Sequence, residues 1–356
     1  MNGAVEFAGR QTIAAPLEIV GLTSADFERW DAFVQASPEA TFFHRAGWKT
    51  VLEKAFGHRT HFLFARAGHA IEGILPLAEI NSRLFGHALI SLPFGVYGGI
   101  AATTERARVA LDDAAQALAI RLKVGHLEYR NVNVFHNDWP TSDVYVTFRK
   151  AIDPDVEKNL AAIPRKQRAM VRKGIKFNLA SEIDQDVDRF FTLYADNVHR
   201  HGTPALPKRY FALLKGTFGA DCEPMIVTHK GAPVSGVMTF YFRDEVLPYY
   251  AGDLAAARDL AANDFKYWEL MRRACARGCK IFDYGRSKRN TGSFDFKKNW
   301  GFEPTPLHYE YKLVTADRVP ENNPLNPKYR VMIAAWRRLP IALANWLGPH
   351  IVKHLG

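Results

Sequence analysis

The chain has 356 residues, of which 47% are hydrophobic and 24% charged, and this composition supports a folded core and excludes extensive disorder. No run of about 18 apolar residues appears, so no membrane-spanning helix is predicted, and the N-terminus lacks the basic and apolar regions of a secretory signal. Lys and Arg outnumber Asp and Glu by 47 to 37, and the net charge of +10 favours an anionic partner such as nucleic acid, a phosphorylated substrate or a membrane surface.

The cysteines indicate a reducing environment. Cys222, Cys275 and Cys279 are too few for a disulfide framework, so we expect a cytoplasmic protein. Cys275 and Cys279 are four positions apart, but no second pair of ligands accompanies them. No zinc site or other metal site is therefore predicted.

Two segments with the same hairpin pattern lie far apart in the chain. Residues 61–80 and 225–242 each contain two β-rich alternating runs around a glycine-containing turn. The turn glycines Gly68 and Gly231 are 163 positions apart, and another glycine follows each of them five positions later. This repetition indicates an internal duplication.

The elements after each hairpin also correspond. Periodic apolar residues predict helices over 104–123 and 263–278, and each helix precedes a β-rich run. Glu128 in the first of these runs corresponds to Asp283 in the second, and a Tyr follows each of them. The duplication therefore extends over several elements, which favours two domains of one fold.

The predicted domain boundaries follow from this duplication. The order hairpin, further strand, helix, strand, strand suits a mixed sheet with helices packed on it, so the expected class is α/β (α+β). A strand over 143–148 is predicted to close the first unit, and a strand over 308–314 the second. The predicted domains are 1–152 and 153–320, followed by a basic amphipathic helical tail over 321–356.

A basic segment joins the two halves. Within 163–177, Arg165, Arg168 and Arg172 have the spacing i, i+3, i+7 and therefore share one face of a predicted helix. The segment contains no acidic residue. We interpret this face as a phosphate-binding surface at the junction of the domains.

The stretch 281–311 contains the densest group of candidate site residues. A predicted strand ends at Asp283 and Tyr284, and α/β folds place sites at the carboxyl ends of strands. A short helix follows over 293–300, with Ser293 as its predicted N-cap. A helix N-terminus with several cations nearby suits a phosphate or a developing oxyanion.

The cations of this stretch are assigned functional roles. Arg286 and Lys288 are predicted to bind the phosphate of a substrate, and Lys297 to contribute charge to the site. Asp283 either accepts a proton or fixes the loop. The structural alternative is a solvated basic loop with aromatic side chains packed beneath it.

This stretch resembles the FemAB family, whose enzymes contain two GNAT-like domains and transfer amino acids from aminoacyl-tRNA to cell-wall peptides. The basic joint between the halves, which ends in Lys173-Gly174, is also similar to the family's pattern. The most specific matches are Asp283-Tyr284-Gly285 for the family's D-[FY]-G strand end and Phe296-Lys297-Lys298-Asn299-Trp300-Gly301 for its F-K-K-x-[FW]-G motif.

The resemblance implies the fold, the reaction and several site residues. It implies two GNAT-like domains with mixed sheets flanked by helices, and direct attack of an amine on an activated carbonyl. Lys297 would then stabilise charge on the carbonyl oxygen or bind the adjacent phosphate of the donor, with Phe296 beside it, and Tyr284 would contact substrate. Separately, the turn at Tyr97 either faces the predicted cleft, where Tyr97 would contact substrate, or only joins two strands. Replacing Lys297 by Ala is predicted to remove most activity and leave the melting temperature nearly unchanged.

The segment 91–100, which contains Tyr97, is similar to the branch of the family that is associated with PEP-CTERM/exosortase and exopolysaccharide loci. That similarity implies an anionic or lipid-linked cell-envelope precursor as the acceptor. Aminoacyl-tRNA would be the donor substrate, and no bound cofactor is expected.

Two departures bear on the identity of the donor, and the second weakens the case for coenzyme A without excluding it. The coiled-coil arm that some Fem enzymes use around tRNA is missing, and the Q/R-x-x-G-x-G/A loop that GNAT enzymes use for acetyl-CoA is absent before 263–278. An N-acyltransferase that uses acyl-CoA or acyl-carrier protein is the first alternative. A non-catalytic nucleic-acid-binding protein is the second, but no helix-turn-helix, RRM or zinc signature supports it and no DNA partner is expected.

The C-terminal segment 329–356 mixes apolar and aromatic side chains with basic ones. Such a composition is typical of a helix that lies on an anionic inner-membrane surface. The alternative is a helix that packs against the second domain and is broken at Pro340 or Pro349.

Overall fold

A computed structural model describes residues 15–82, 85–142, 144–319 and 327–355. In these residues the chain forms two eight-stranded sheets, each with parallel and antiparallel pairs, and helices pack against both. The prediction of an α/β protein with two mixed sheets is confirmed.

The first half of the chain carries most of the first sheet. Its elements in chain order are β1 (Leu17–Gly21), α1 (Phe27–Ala36), α2 (Gly47–Phe56), β2 (Thr60–Ala67), β3 (Ala70–Ser82), β4 (Gly86–Ser91), β5 (Ala101–Ala102), α3 (Glu105–Leu122), β6 (His126–Asn131), β7 (Thr141–Ser142) and β8 (Tyr145–Ala151).

The second half carries most of the second sheet and the C-terminal helices. Its elements in chain order are α4 (Val156–Ala162), α5 (Arg165–Lys176), β9 (Leu179–Ile183), α6 (Asp188–Arg200), α7 (Lys208–Phe218), β10 (Cys222–His229), β11 (Ala232–Phe242), β12 (Glu245–Asp253), α8 (Ala262–Ala276), β13 (Ile281–Asp283), β14 (Ser287–Lys288), α9 (Gly292–Asn299), β15 (Pro304–Pro306), β16 (His308–Leu313), α10 (Pro327–Trp336) and α11 (Ile341–Val352).

The structure confirms the internal duplication. The predicted hairpins are β2–β3 and β10–β11, and their turn glycines Gly68 and Gly231 have φ angles of 59° and 78°. Side chains other than glycine rarely adopt this left-handed conformation. Helix α3 then connects β4 to the parallel strand β6, and α8 connects β12 to the parallel strand β13 in the same way.

The two halves exchange their last strands, which corrects the sequence-based assignment of those strands. Strand β8 was predicted to close the first unit, but it pairs with β13, β14 and β15 of the second sheet. Strand β16 was predicted to close the second unit, but it pairs with β6 and β7 of the first. A division at residue 152 therefore does not separate the two sheets. Periodicity predicts that a segment is a strand, but its partner is chosen by non-local contacts.

One hydrophobic core runs through both halves. Phe42 of the first half stacks on Phe240 of β11 with ring centroids 4.4 Å apart, and Phe43 lies 5.1 Å from the ring of Tyr249 on β12. Trp48 on α2 is fully buried in the same cluster. Because these aromatic contacts cross between the halves, the halves pack as one body. None of the helices in the described ranges has the length and apolar character needed to cross a bilayer.

A partly buried histidine, His136, connects the exchanged strand β16 to the first sheet. The Glu310 carboxylate on β16 accepts hydrogen bonds from the backbone N–H groups of Phe135 and His136, at 2.6 and 3.1 Å. The His136 ring lies 3.0 Å from Glu310 through Nδ1 and 3.1 Å from Asp112 through Nε2. Burial lowers the pKa of His136, but the two carboxylates outweigh it and raise the pKa to about 9.

We expect this histidine to make the fold less stable as the pH rises. Its folded pKa lies above its unfolded value, so its contribution is complete below about pH 6.5 and is lost as the pH rises through 9. Over that window, urea unfolding should show that wild type loses on the order of 2–3 kcal/mol more than His136→Gln does. His69→Gln alters an exposed histidine and should behave as wild type. If the free energy of unfolding changed with pH in the same way for wild type and His136→Gln, the expectation would be contradicted.

Candidate active site

A cavity lies where the parallel strands of the second sheet separate. Strands β12 and β13 pair only at Glu245–Ile281 and Val246–Phe282, and β12 then continues without a parallel partner. The cavity has a volume of about 580 Å³, and residues beyond the separation of both strands line it. They include Tyr249 and Tyr250 of β12, and Tyr284 and Arg286 after β13.

The first half contributes a loop to the same cavity. Phe94 and Val96, which follow β4, line it, and Phe94 adopts a φ of 67°. The Tyr249 hydroxyl donates to the Phe94 carbonyl and the Tyr309 hydroxyl to the Val96 carbonyl, both at 2.7 Å. The buried Arg130 side chain donates to the Gly95 carbonyl at 2.8 Å. Residues of both sheets therefore hold this loop in one conformation.

The C-terminal helices complete the wall. His199 on α6 lies 3.0 Å through Nε2 from the Leu339 carbonyl, and the Arg337 side chain donates to the His201 carbonyl at 3.3 Å. The helices separate at Pro340, whereas Pro349 lies inside α11, so only the first of the two predicted breaks occurs. The tail thus packs on the second domain, and its contact with a membrane remains a prediction. Its cavity-lining residues are Met332, Ile333, Trp336, Ile351, Val352 and Leu355.

Arg286 is the one charged side chain among the described residues that line the cavity. Its guanidinium lies 4.6 Å from the ring centroid of Tyr145 and donates a 3.4 Å hydrogen bond to the Tyr309 hydroxyl. No carboxylate of the described residues lies within salt-bridge distance of it. Because a guanidinium stays charged at accessible pH, Arg286 presents an uncompensated cation to a ligand in the cavity.

Lys297 lies behind the turn that carries Arg286 and is not among the residues lining the cavity. Its side chain is 7% exposed, and its ammonium donates to the carbonyls of Tyr284, Gly285 and Arg286 at 2.8, 3.0 and 3.2 Å. Burial lowers its pKa to about 7; the charge of Asp283 opposes this shift and the charge of Arg286 adds to it. Three carbonyl acceptors use all three of its donors, so Lys297 holds the turn and positions Arg286.

The helix that carries Lys297 begins differently from the prediction. Thr291, not Ser293, is the N-cap of α9, and its hydroxyl accepts from the Phe294 backbone N–H at 3.4 Å. The Ser293 hydroxyl instead lies 3.0 Å from the Ser287 hydroxyl. Both Thr and Ser suit an N-cap, so the position at which the helical backbone begins determines which of them caps the helix.

Asp283 is completely buried and surrounded by hydrogen-bond donors. It accepts from the Gly285 backbone N–H at 2.7 Å and from the Tyr97 hydroxyl at 3.1 Å, and Arg149 Nε lies 3.4 Å away. Burial raises the pKa of Asp283, and Arg149 opposes that shift. Of the two roles left open by the sequence, these contacts favour fixing the loop.

Tyr97 joins the halves of the molecule instead of facing the cavity, as its turn had been predicted to do. It is 3% exposed, and its hydroxyl lies 2.9 Å from the Thr147 hydroxyl as well as bonding to Asp283. The neighbouring Val96 takes the place at the cavity wall.

Of the other predicted residues in this stretch, Tyr284 lines the cavity, whereas Phe296 and Lys288 are not among its lining residues. Phe296 packs against Tyr267 and Trp300, with ring centroids 5.4 and 5.9 Å apart, and does not line the cavity. Tyr284 is buried, and its hydroxyl has no hydrogen-bond partner among the described residues. Lys288 lies 5.5 Å from the Tyr145 ring, and burial lowers its pKa.

The three arginines of the basic segment lie on one helix, as predicted, but away from the cavity. Helix α5 packs against α8 through its buried residues Val171 and Gly174. The buried face of α5 is turned toward the second sheet, and phosphate binding by its arginines at the domain junction stays a prediction. Arg165 and Arg172 are exposed, and Arg168 donates to the Ala161 carbonyl at 2.9 Å.

Sequence reasoning missed the aromatic side chains that shape the cavity. Tyr145, Tyr249 and Tyr250 come from strands whose pattern is that of ordinary core strands. Trp336 comes from the tail, where composition indicated an apolar surface but not its position. Only a charged residue such as Arg286 differs enough from the core to be recognised in advance.

Comparison with known proteins is consistent with this architecture. Residues 158–298 match the family model described as an acetyltransferase (GNAT) domain. No curated protein sequence matches the chain. The matched region contains β12, α8, β13 and most of α9, and therefore the turn with Arg286 and Lys297.

Three solved structures share the fold over most of the chain. FemX has a TM-score of 0.65 at 16% identity, covering 83% of this chain and 98% of FemX. The C-terminal domain of a putative lysylphosphatidylglycerol synthetase from Agrobacterium fabrum has a TM-score of 0.56 at 12% identity, covering 81% of this chain and 91% of that domain. A tandem GNAT protein from the clavulanic acid biosynthesis pathway has a TM-score of 0.52 at 14% identity, covering 86% of this chain and 100% of that protein.

Residues 158–298 thus match a GNAT acetyltransferase domain, and the fold over most of the chain is similar to that of a tandem GNAT protein. Over 83% of the chain the fold is also similar to that of FemX. The similarity to the exosortase-associated branch remains a prediction.

Proposed function

We propose that the protein transfers an aminoacyl or acyl group to an amine of a cell-envelope or exopolysaccharide precursor, at the cytoplasmic side of the inner membrane. The observation that carries this proposal is Arg286, which belongs to the matched GNAT domain and is an uncompensated cation in an otherwise uncharged cavity. The similarity to FemX and to the lysylphosphatidylglycerol synthetase domain supports an acceptor from the envelope.

The reaction is direct acyl transfer. The amine nitrogen forms a bond to the acyl carbon, the bond from that carbon to the donor's oxygen or sulfur breaks, and the amine proton leaves with the alcohol or thiol or to solvent. The protein aligns the two reactants and stabilises negative charge that develops on the carbonyl oxygen. Arg286 supplies positive charge at the cavity, and Lys297 holds the turn that presents it.

Two donor classes remain in the proposal. Aminoacyl-tRNA is the donor that the resemblance to Fem enzymes implies. The family model, which describes an acetyltransferase domain, favours acyl-CoA or acyl-carrier protein as the second candidate.

Turnover experiments with each donor test the proposal. Purified protein is incubated with charged tRNA or with acyl-CoA in the presence of lipid-linked and nucleotide-linked amino sugars and of muropeptides, and products are followed by mass spectrometry. We expect a new amide with one donor class. Donor that stays intact with every amine, while the protein remains folded, would contradict the proposal.

The three arginines of α5 remain candidate phosphate contacts. Replacing Arg168 by Ala should weaken binding of charged tRNA about three- to tenfold and reduce the salt dependence of binding, because one phosphate contact is lost. Arg121→Ala is the matched control, because Arg121 lies on the last turn of α3, which packs against the first sheet. Affinity that is unchanged over a salt series would show that α5 does not contact the donor.

A further inference from the structure

The composition of the cavity wall indicates what kind of ligand fits it. Apart from Arg286, the described lining is aromatic and aliphatic with a single hydroxyl-bearing aliphatic side chain, Thr203. The volume of about 580 Å³ lies within the roughly 300–1,000 Å³ of pockets that enclose small ligands. A strongly polar ligand such as a sugar or a peptide would leave many of its hydrogen-bonding groups unpaired against this wall. A long hydrocarbon chain would not.

Apart from the hydroxyls of five tyrosines and Thr203, the polar side chains at the wall are two hydrogen-bond donors. Arg286 contributes its guanidinium, and Trp336 on α10 has a buried indole N–H without a partner among the described residues. The hydroxyls of Tyr249 and Tyr250 already contact the Phe94 carbonyl and the Tyr210 hydroxyl. Donors on an apolar wall suit a ligand that carries one carbonyl or anionic group on a chain of methylenes.

We propose that this cavity binds the long unbranched acyl chain of the donor, with its carbonyl group directed to Arg286. This assignment rests on the proposed function and names the substrate class, a fatty-acyl ester or thioester. In the transfer, the bond from the fatty-acyl carbon to the donor's oxygen or sulfur breaks and an amide bond to the acceptor nitrogen forms. The leaving alcohol or thiol takes up the proton that the amine releases.

The C-terminal helices form one side of the cavity. They supply five of its lining residues, and Leu355 after α11 is a sixth. The same helices expose apolar side chains to solvent, including Met332 at 60% and Trp346 at 66% exposure. Helix α10 meets the second domain closely at Gly202, where a Cβ would lie 2.5 Å from the Ile333 side chain. The tail therefore fits closely against the second domain.

A series of fatty acids tests the assignment without requiring knowledge of the true donor. Butanoate, octanoate, dodecanoate and hexadecanoate are titrated against the full chain in competition with a fluorescent fatty acid. Affinity should rise on the order of threefold per methylene until the cavity is full, because each methylene leaves water. Affinity that is independent of chain length would overturn the proposal.

Cavity variants show where the chain binds. Leu206→Trp fills part of the cavity and should weaken hexadecanoate at least tenfold while octanoate binds nearly as before. Met332→Trp, at a more exposed part of the wall, should also weaken hexadecanoate binding more than octanoate binding. This second variant provides the same test if Leu206→Trp misfolds. Ile120→Trp, at an exposed site on α3, should bind the whole series as wild type does. Equal affinities in all variants would place the chain elsewhere.

Transfer assays separate this proposal from the proposed function. Chain-length-dependent binding without any amide product would support the cavity assignment and count against the acyltransferase reaction. Amide formation from aminoacyl-tRNA or acetyl-CoA without preference for longer acyl groups would support the reaction and overturn the acyl-chain assignment.

Discussion

Arg286→Gln should lower transfer by about 10²–10³-fold, because a positioned donor that stabilises developing charge contributes that much to the rate. The variant should keep nearly the wild-type melting temperature. Arg286 forms no salt bridge with a described residue, and its one hydrogen bond, to the Tyr309 hydroxyl, is long at 3.4 Å. Rates with saturating donor and acceptor, together with thermal unfolding, check both parts of the expectation.

Two further substitutions control the Arg286 experiment. Arg289→Gln removes an exposed charge from the same loop and should retain most of the activity. Arg286→Lys keeps the charge but loses the planar fork of donors, so its rate should lie between those of wild type and Arg286→Gln. Equal, small losses in Arg286→Gln and Arg289→Gln would mean that the cavity cation has no part in transfer.

Lys297→Ala should destabilise the protein and also remove most of its activity. The substitution leaves three carbonyls, those of Tyr284, Gly285 and Arg286, without their buried donor. An unsatisfied buried group costs about 1–3 kcal/mol, so a total loss on the order of 2–5 kcal/mol is expected after partial relaxation. The structure thus corrects the sequence-based expectation of an unchanged melting temperature, because Lys297 is a buried part of the turn.

Lys298→Ala is the matched control for this second experiment. Lys298 is exposed on the same helix, and its replacement should change the free energy of unfolding by at most about 0.5 kcal/mol. Transfer is measured well below the melting temperature of both variants, so that loss of activity is separated from loss of folded protein. Similar small effects on stability and rate in the two variants would show that the Lys297 contacts do not hold the turn.

The sequence by itself determined the local elements and their repetition. The hairpins around Gly68 and Gly231 could be predicted because alternation and turn glycines depend on neighbouring residues only. The helices α3, α5 and α8 could be predicted for the same reason, from periodicity. Arg286 could also be selected, since several cations at the end of a strand are unusual for a segment that only packs.

Only the tertiary structure decided which strands pair and which residues form the cavity. The exchange of β8 and β16 depends on contacts between residues more than a hundred positions apart, and the alternation within each strand is the same in either sheet. The tyrosines of β12 differ from core aromatics only in that the neighbouring strand separates from them. The burial of Lys297 follows from the path of the Tyr284–Arg286 turn beside it, and a motif read along the chain cannot show which of its atoms that path encloses.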